Sequence, residues 1–227
     1  MTTLFRTLIL IFTLCVIHTT AQTVDYEQLE RRDKIAYLKG SESPFTGKAF
    51  GYWDNGNKKK EINFVNGIRE GVYRTWFKNG NKESIKFYKN NLLEGAIISW
   101  YENGQYERKV EFRQDKKHGN FQAFYENGQV KSEGQYVNNK KIGIHIGYYE
   151  NGQKESNGNF IDGVENGIHT EWYINGVKFK ELTYDNGTLV SEKQWSESGK
   201  ELSADEIKLL KQQQQNGNLM QMWLQQQ

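Results

Sequence analysis

Short runs of alternating apolar and polar residues fill most of this chain, and each run stops at a pair of residues suited to a tight turn. The stretch from Gly71 to Gly80 is β-prone and ends in Asn79-Gly80, a pair that tolerates the positive φ of a hairpin turn. A return strand through Lys82 to Tyr88 reaches a second turn at Asn90-Asn91. Both signals recur every 24 residues. Asn-Gly stands at Asn55-Gly56, Asn79-Gly80, Asn103-Gly104, Asn127-Gly128, Asn151-Gly152 and Asn175-Gly176, and a second glycine series runs Gly47, Gly71, Gly95, Gly119, Gly143, Gly167. The second turn recurs at Asn66-Gly67, Gln114-Asp115, Asn138-Asn139, Asp162-Gly163 and Asn186-Gly187. A fixed period of this length marks an array whose units stack on their neighbours. The predicted fold is therefore all-β: an elongated, single-layer antiparallel meander of about six hairpin repeats, 47–190, with about twelve strands. Each repeat advances the sheet by about 9.5 Å, twice the interstrand spacing.

If Asn-Gly forms a two-residue turn, alternation assigns every repeat position to one of two faces. One face carries Trp53, Phe77, Tyr101, Tyr125, Tyr149 and Tyr173 beside Phe64, Tyr88, Phe112, Tyr136, Phe160 and Tyr184. This is the expected packed face. The other carries Tyr52, Trp76, Trp100, Phe124, Tyr148 and Trp172 opposite a column of Lys59, Glu83, Glu107, Lys131, Glu155 and Phe179. Aromatics among charges on an open surface make those six residues the candidate binding row.

The flanks read as caps that blunt the sheet edges. Residues 22–46 hold a lone strand, Ile35 to Leu38, and an entry turn ending at Pro44. Residues 191–202, with Trp195 and Ser198-Gly199, resemble a degenerate seventh hairpin. In 203–227, Ser203 and Glu206 have capping-box spacing before Ile207, which predicts a short helix, and the glutamine-rich remainder has the composition of a disordered tail.

Composition removes several classes of function. Thirty basic against 28 acidic residues, intermixed, leave a formal charge of +2 and no broad field for nucleic acid. Residues 1–21 carry Arg6, an apolar run from Leu8 to Ile17 and small residues up to Ala21, the order of a secretory signal peptide cleaved after Ala21. The apolar run falls short of the roughly 20 residues that span a bilayer. The mature chain is expected to be secreted or periplasmic, with no transmembrane span. The single cysteine, Cys15, lies inside that segment, so disulfides and thiolate metal sites are excluded from the rest.

No catalytic constellation emerges. His145 and His169 share a column, but copies about 9.5 Å apart cannot share a zinc ion with bonds of about 2.1 Å. Glu102, Glu126 and Glu150 precede the Asn-Gly turns and read as solvated turn residues. The sequence predicts no enzyme, no cofactor and no metal.

The recurrent glycine, aromatic pair and Asn-Gly, clearest from Gly95 to Gly119 and from Gly119 to Gly143, resembles the MORN repeat variant. The entry at Pro44 to Gly47 resembles the start of the YwqK-like antitoxin family assembled from such repeats. The resemblance covers roughly 35–202 and implies an elongated hairpin sheet serving as a binding or scaffolding surface, with no catalytic residues to carry over. A signal peptide departs from a cytoplasmic antitoxin. The functional expectation is an extracytoplasmic protein-interaction scaffold. Its alternatives are cell-wall or surface glycan binding through the exposed aromatics, and an antitoxin-like or immunity role.

Overall fold

The computed structural model describes residues 22–224. The segment read as a signal peptide, 1–21, lies outside them, as do 225–227. Six repeats supply a leading and a return strand each: Gly47–Tyr52 and Lys58–Val65, Gly71–Trp76 and Lys82–Lys89, Gly95–Trp100 and Tyr106–Arg113. Lys116–Phe124 and Val130–Val137, Lys140–Tyr148 and Lys154–Ile161, then Gly167–Trp172 and Lys178–Asp185 complete them. All pair antiparallel in chain order, and Thr188–Gln194 adds a final rung. The single-layer meander is the architecture the period demands.

The two turn types divide the labour differently from expectation. Both residues have positive φ in the second set, for example Asn138 at 50° and Asn139 at 70°, so these are the two-residue hairpin turns. At Asn-Gly, only the glycine is left-handed. Gly128 N–H donates to the Tyr125 carbonyl at 2.9 Å, and Tyr125 N–H donates to the Gln129 carbonyl at 2.8 Å. That geometry is a three-residue loop with a glycine bulge. The extra residue shifts the register: Ser99 pairs with Arg108, but Trp100 pairs with Tyr106. Glu107 is left over in the bulge.

A second irregularity sits at the other glycine series. In repeats 2, 3 and 6, short strands Ile68–Arg69, Leu92–Leu93 and Val164–Glu165 precede the glycine and are separated from the leading strand by one residue. In repeat 4 the register slips between Val110 and Phe112, and Glu111 reaches across to accept from Asn120 N–H at 2.9 Å. The leading strand therefore begins before the glycine and bends there.

Three hydrogen-bond rails run along the stacking axis. Each turn asparagine accepts through Oδ1 from the backbone two residues on, and five of the six, all but Asn151, donate through Nδ2 to the next repeat: Asn103 to Glu126 O at 3.1 Å, Asn127 to Glu150 O at 3.0 Å. Beside it, Tyr101, Tyr125, Tyr149 and Tyr173 donate their hydroxyls to Phe124 O, Tyr148 O, Trp172 O and Trp195 O at 2.8, 2.7, 2.6 and 2.9 Å. Trp53 does the same through its indole, to Trp76 O at 3.0 Å. At the opposite edge the second-turn amides bond backwards, as in Asn139 N–H to Lys117 O at 3.0 Å. Units with almost no depth are thus tied to their neighbours by polar contacts.

The entry end is built otherwise. Gln22–Asp25 lies parallel to Gly47–Tyr52 at the first edge of the sheet. Ile35–Leu38 is not a lone strand, because it pairs with Leu29–Arg32 around Asp33-Lys34, both of positive φ. This hairpin folds over repeat 1 and closes a core of Val24, Ala36, Phe45, Ala49, Ile62 and Phe64. At the exit, Trp195 bridges Glu201 and Ser196 N–H donates to Lys200 O at 2.9 Å, a seventh hairpin cut short. A single helix follows, Ala204–Leu224. Ser203 and Glu206 form its capping box, and the Lys200 ammonium with the Ser203 donors holds the Glu206 carboxyl down to about 2. The helix takes in Gln212 to Gln215, which composition alone placed in a disordered tail. Among the described residues no helix is long and apolar enough to cross a membrane.

Candidate functional surfaces

The register places Tyr52, Trp76, Trp100, Phe124, Tyr148 and Trp172 in one column on one face, as alternation predicts. Their cross-strand partners are Lys58, Lys82, Tyr106, Val130, Lys154 and Lys178. The expected column of Lys59, Glu83, Glu107, Lys131, Glu155 and Phe179 lies on the opposite face. The bulge carries each of these residues round to the tyrosine rail: Lys59 Nζ sits 4.2 Å from the Trp53 ring centre, Lys131 Nζ 5.4 Å from that of Tyr125, and Phe179 packs 4.9 Å from Tyr173. Burial first, and then carboxylates that include Glu107 and Glu155, raise the phenols of Tyr101 and Tyr149. Those hydroxyls stay protonated, as donors must.

Aromatic rings on this candidate row are joined by cations. Trp100 stacks on Tyr106 at 5.7 Å and 29°, and Tyr106 meets Phe124 at 6.0 Å. Lys109 Nζ lies 3.9 Å from the Tyr106 ring centre, and Lys58 Nζ 5.5 Å from that of Trp76. Tyr52 is 50% exposed, whereas the other five members are half-buried by these neighbours.

The face expected to be packed is open beyond repeat 1. Its middle is a trough with a floor of Thr75, Ser84 and Ser99, then Ser132, Gly147 and Ser156. One wall is the rail of Trp53, Phe77 and Tyr101, and the other holds Tyr73, Ile97, Phe121 and Tyr136. Arg108, donating to Ser99 Oγ at 3.1 Å, stands in the trough. Two clefts result, of 730 Å³ and 470 Å³. Charges of both signs line them, including Lys60, Lys86, Glu83 and Glu107 in the first and Lys141, Glu165 and Glu171 in the second.

Sequence reasoning placed the two histidines together but missed what they do. His145 and His169 alternate with Tyr136, Phe160 and Tyr184 in an edge-to-face stack, centroids 5.0 to 5.3 Å apart. Each imidazole lies over a glycine, Gly134 or Gly158, where any Cβ would collide with it. Each Nε2 is spent on a backbone carbonyl at 2.8 Å, Gln135 or Asn159. Burial lowers the His145 pKa, the Gln135 carbonyl opposes that, and Lys141 adds to it. The readable signal was the pairing of each histidine with a glycine in the facing strand. No cluster of three or more His, Cys, Asp or Glu side chains suited to a metal occurs among the described residues.

The geometry has counterparts among known repeats. The family described as MORN repeat variant matches five tandem segments, 45–66, 69–90, 93–114, 117–138 and 141–162. Comparison of the chain with curated proteins found no match. The sixth repeat falls outside the matched segments yet keeps the same strands, turns and tyrosine bond. MORN repeats are generally associated with protein or membrane binding.

Proposed function

We propose that this array of MORN-type repeats is a non-enzymatic scaffold outside the cytoplasm, holding an elongated protein segment in its small-floored trough. The observation that carries this reading is the trough itself. It crosses the strands rather than following them, so an occupant would lie along the stacking axis and touch several repeats at once. Small side chains in the floor let a backbone approach closely, and aromatic walls supply apolar contact at low entropic cost. Both signs of charge beside the walls suit a polypeptide better than a ligand of one charge. The secretory order of residues 1–21 supports the location.

A photo-crosslinking residue at Ser132, in the floor, tests the reading in living cells of the source. Discrete adducts with an envelope protein are expected, disappearing when Gly147→Trp fills the trough. The same crosslinker at Ile168, on the opposite face, is the control. Adducts confined to Ile168, or unchanged by Gly147→Trp, would contradict the trough as the binding surface. N-terminal sequencing of the mature protein is expected to begin at Gln22, and recovery of Met1 from cytosol would contradict the location.

A further inference from the structure

The aromatic row on the face opposite the trough is chemically divided. In repeats 1 to 3 the face carries Lys48, Lys58, Arg74, Lys82 and Lys109, and the carboxylates placed among them are Glu61 and Glu111, the latter accepting from Asn120 N–H. Lys48, Lys58 and Arg74 all converge on Glu61, at 4.0, 3.7 and 3.2 Å, so five cations face two carboxylates and the front half keeps an excess of positive charge. In repeats 4 to 6 the balance reverses: Lys178 is paired with Glu181 at 2.7 Å, and Glu133 accepts from the Tyr148 hydroxyl at 2.9 Å and from Gln122 at 3.1 Å. The rings continue along the whole row. Of the back-half lysines in the row, Lys154 is without a carboxylate partner among the described residues and Lys178 is paired, so the excess of positive charge belongs to the front half.

Position adds to charge. Tyr52, Lys58, Trp76, Lys82, Trp100, Tyr106 and Phe124 occupy consecutive rungs, so a leading-strand ring recurs along the row once per repeat, about 9.5 Å apart, with Lys58 and Lys82 on the rungs between in repeats 1 and 2 and the Tyr106 ring, under Lys109, on that of repeat 3. Lys58 Nζ lies 4.8 Å from the Phe50 ring centre and Lys82 Nζ 6.0 Å from that of Trp100, which keeps the ammonium groups at ring height. An aromatic face accepts the apolar face of a pyranose, and the ring pitch is the length of two sugars in an extended chain. A cation between rings then meets an acidic group once per disaccharide.

We infer that this front half of the row binds a linear acidic polysaccharide with one carboxylate per two sugars. The inference concerns a different face and a different ligand from the protein-binding trough, and neither depends on the other. A single-stranded nucleic acid would place bases more closely than the one ring per repeat of repeats 1 and 2 allows. An anionic headgroup would need a compact cluster rather than a line.

Titration of the full mature chain with hyaluronan oligosaccharides tests this, with cellohexaose, poly(dT) and phosphatidylserine vesicles as comparison probes. Saturable hyaluronan binding that weakens with salt is expected, with much weaker binding to the other three. Lys82→Glu and Lys109→Glu are each expected to weaken it about tenfold, and Trp100→Ala by a similar factor. Lys154→Glu, in the back half, is expected to leave it unchanged. Circular dichroism melts keep the test interpretable if Trp100→Ala fails to fold, because the two lysine variants carry the same conclusion. No hyaluronan binding, equal or tighter binding to poly(dT) or vesicles, or an equal effect of Lys154→Glu would overturn the proposal.

Discussion

The two ends of this molecule solve the burial problem in opposite ways. At the entry end a folded-over hairpin gives repeat 1 a second layer, and six of the seven buried hydrophobic residues among those described lie there. In the repeats beyond, Val110 is the remaining one, and stability must come from ring edges and the three polar rails. The same repeat unit thus sits in a true core at one end and in a bare sheet elsewhere. The covered end is an anchor. The uncovered repeats are left with two open faces, and the cationic row starts on the uncapped face of repeat 1 and runs on along one of them.

Substituting equivalent phenylalanines breaks the comparison most sharply. Phe64 and Phe112 hold the same repeat position, but Phe64 is 3% exposed within the core and Phe112 is half-buried. Phe64→Ala is expected to cost about 3–5 kcal/mol in denaturant titration, and Phe112→Ala clearly less. Equal costs would mean that the cap adds nothing.

A smaller effect separates local conformation from packing at one turn. Gly67 has φ of 73°, but Asn91 and Asn139 take nearly the same φ at equivalent positions, 67° and 70°, so the turn does not demand glycine. What demands it is the cap. Any Cβ on Gly67 would strike Ile35 and Ala36, where Ala36 N–H donates to Gly67 O at 2.9 Å and Gly67 N–H to Phe45 O at 2.7 Å. Gly67→Asn is expected to cost about 1–3 kcal/mol by overpacking. Gly163→Asn, whose Cβ would meet Lys140 Cβ at 3.3 Å, should be nearly neutral. Thermal melts of the pair decide it.

The period, both turn sets and the assignment of aromatics to two faces were legible because each is a local pattern repeated in phase. The bulge was not. A two-residue reading of Asn-Gly fits the composition of hairpin turns, and the signal against it was a polar residue after five of the six glycines, Asn57, Asn81, Gln105, Gln129 and Gln153, at the position whose carbonyl closes the loop. That one extra residue moved Lys59, Glu107 and Glu155 to the other face and turned a predicted mixed row into a cationic one. The entry cap was invisible for a different reason. Parallel pairing of Gln22–Asp25 with residues 47–50 joins segments far apart in sequence, and no periodicity records it. The trough was hidden because small residues at alternate positions read as gaps between the aromatic columns.

In the uncovered repeats, Tyr125→Phe removes one rung of the tyrosine rail and is expected to cost about 1 kcal/mol, measured by denaturation. Phe77 already stands at the equivalent position without a hydroxyl, so the fold tolerates one missing rung. The smallest effect is a response to acid. His145 is half-buried between rings and its folded-state pKa lies below the ordinary histidine value of 6.5, so the unfolded chain takes up the proton first. Stability is expected to be level above that value and to fall as pH drops from 6.5 through the lower folded pKa. His145→Phe, the ring already present at Phe121, should flatten that part of the response in melts at neutral and acidic pH. A response of the opposite sign would mean that the imidazolium is stabilised in the stack.

Native-state hydrogen exchange tests the central claim of an anchored but otherwise one-dimensional array most directly. Strand amides of Gly47–Tyr52 and Lys58–Val65, under the cap, are expected to exchange most slowly. Protection should then decline repeat by repeat, with Lys178–Asp185 and Thr188–Gln194 opening independently of the cap. Uniform protection along all the rungs, collapsing in a single cooperative step, would contradict the account.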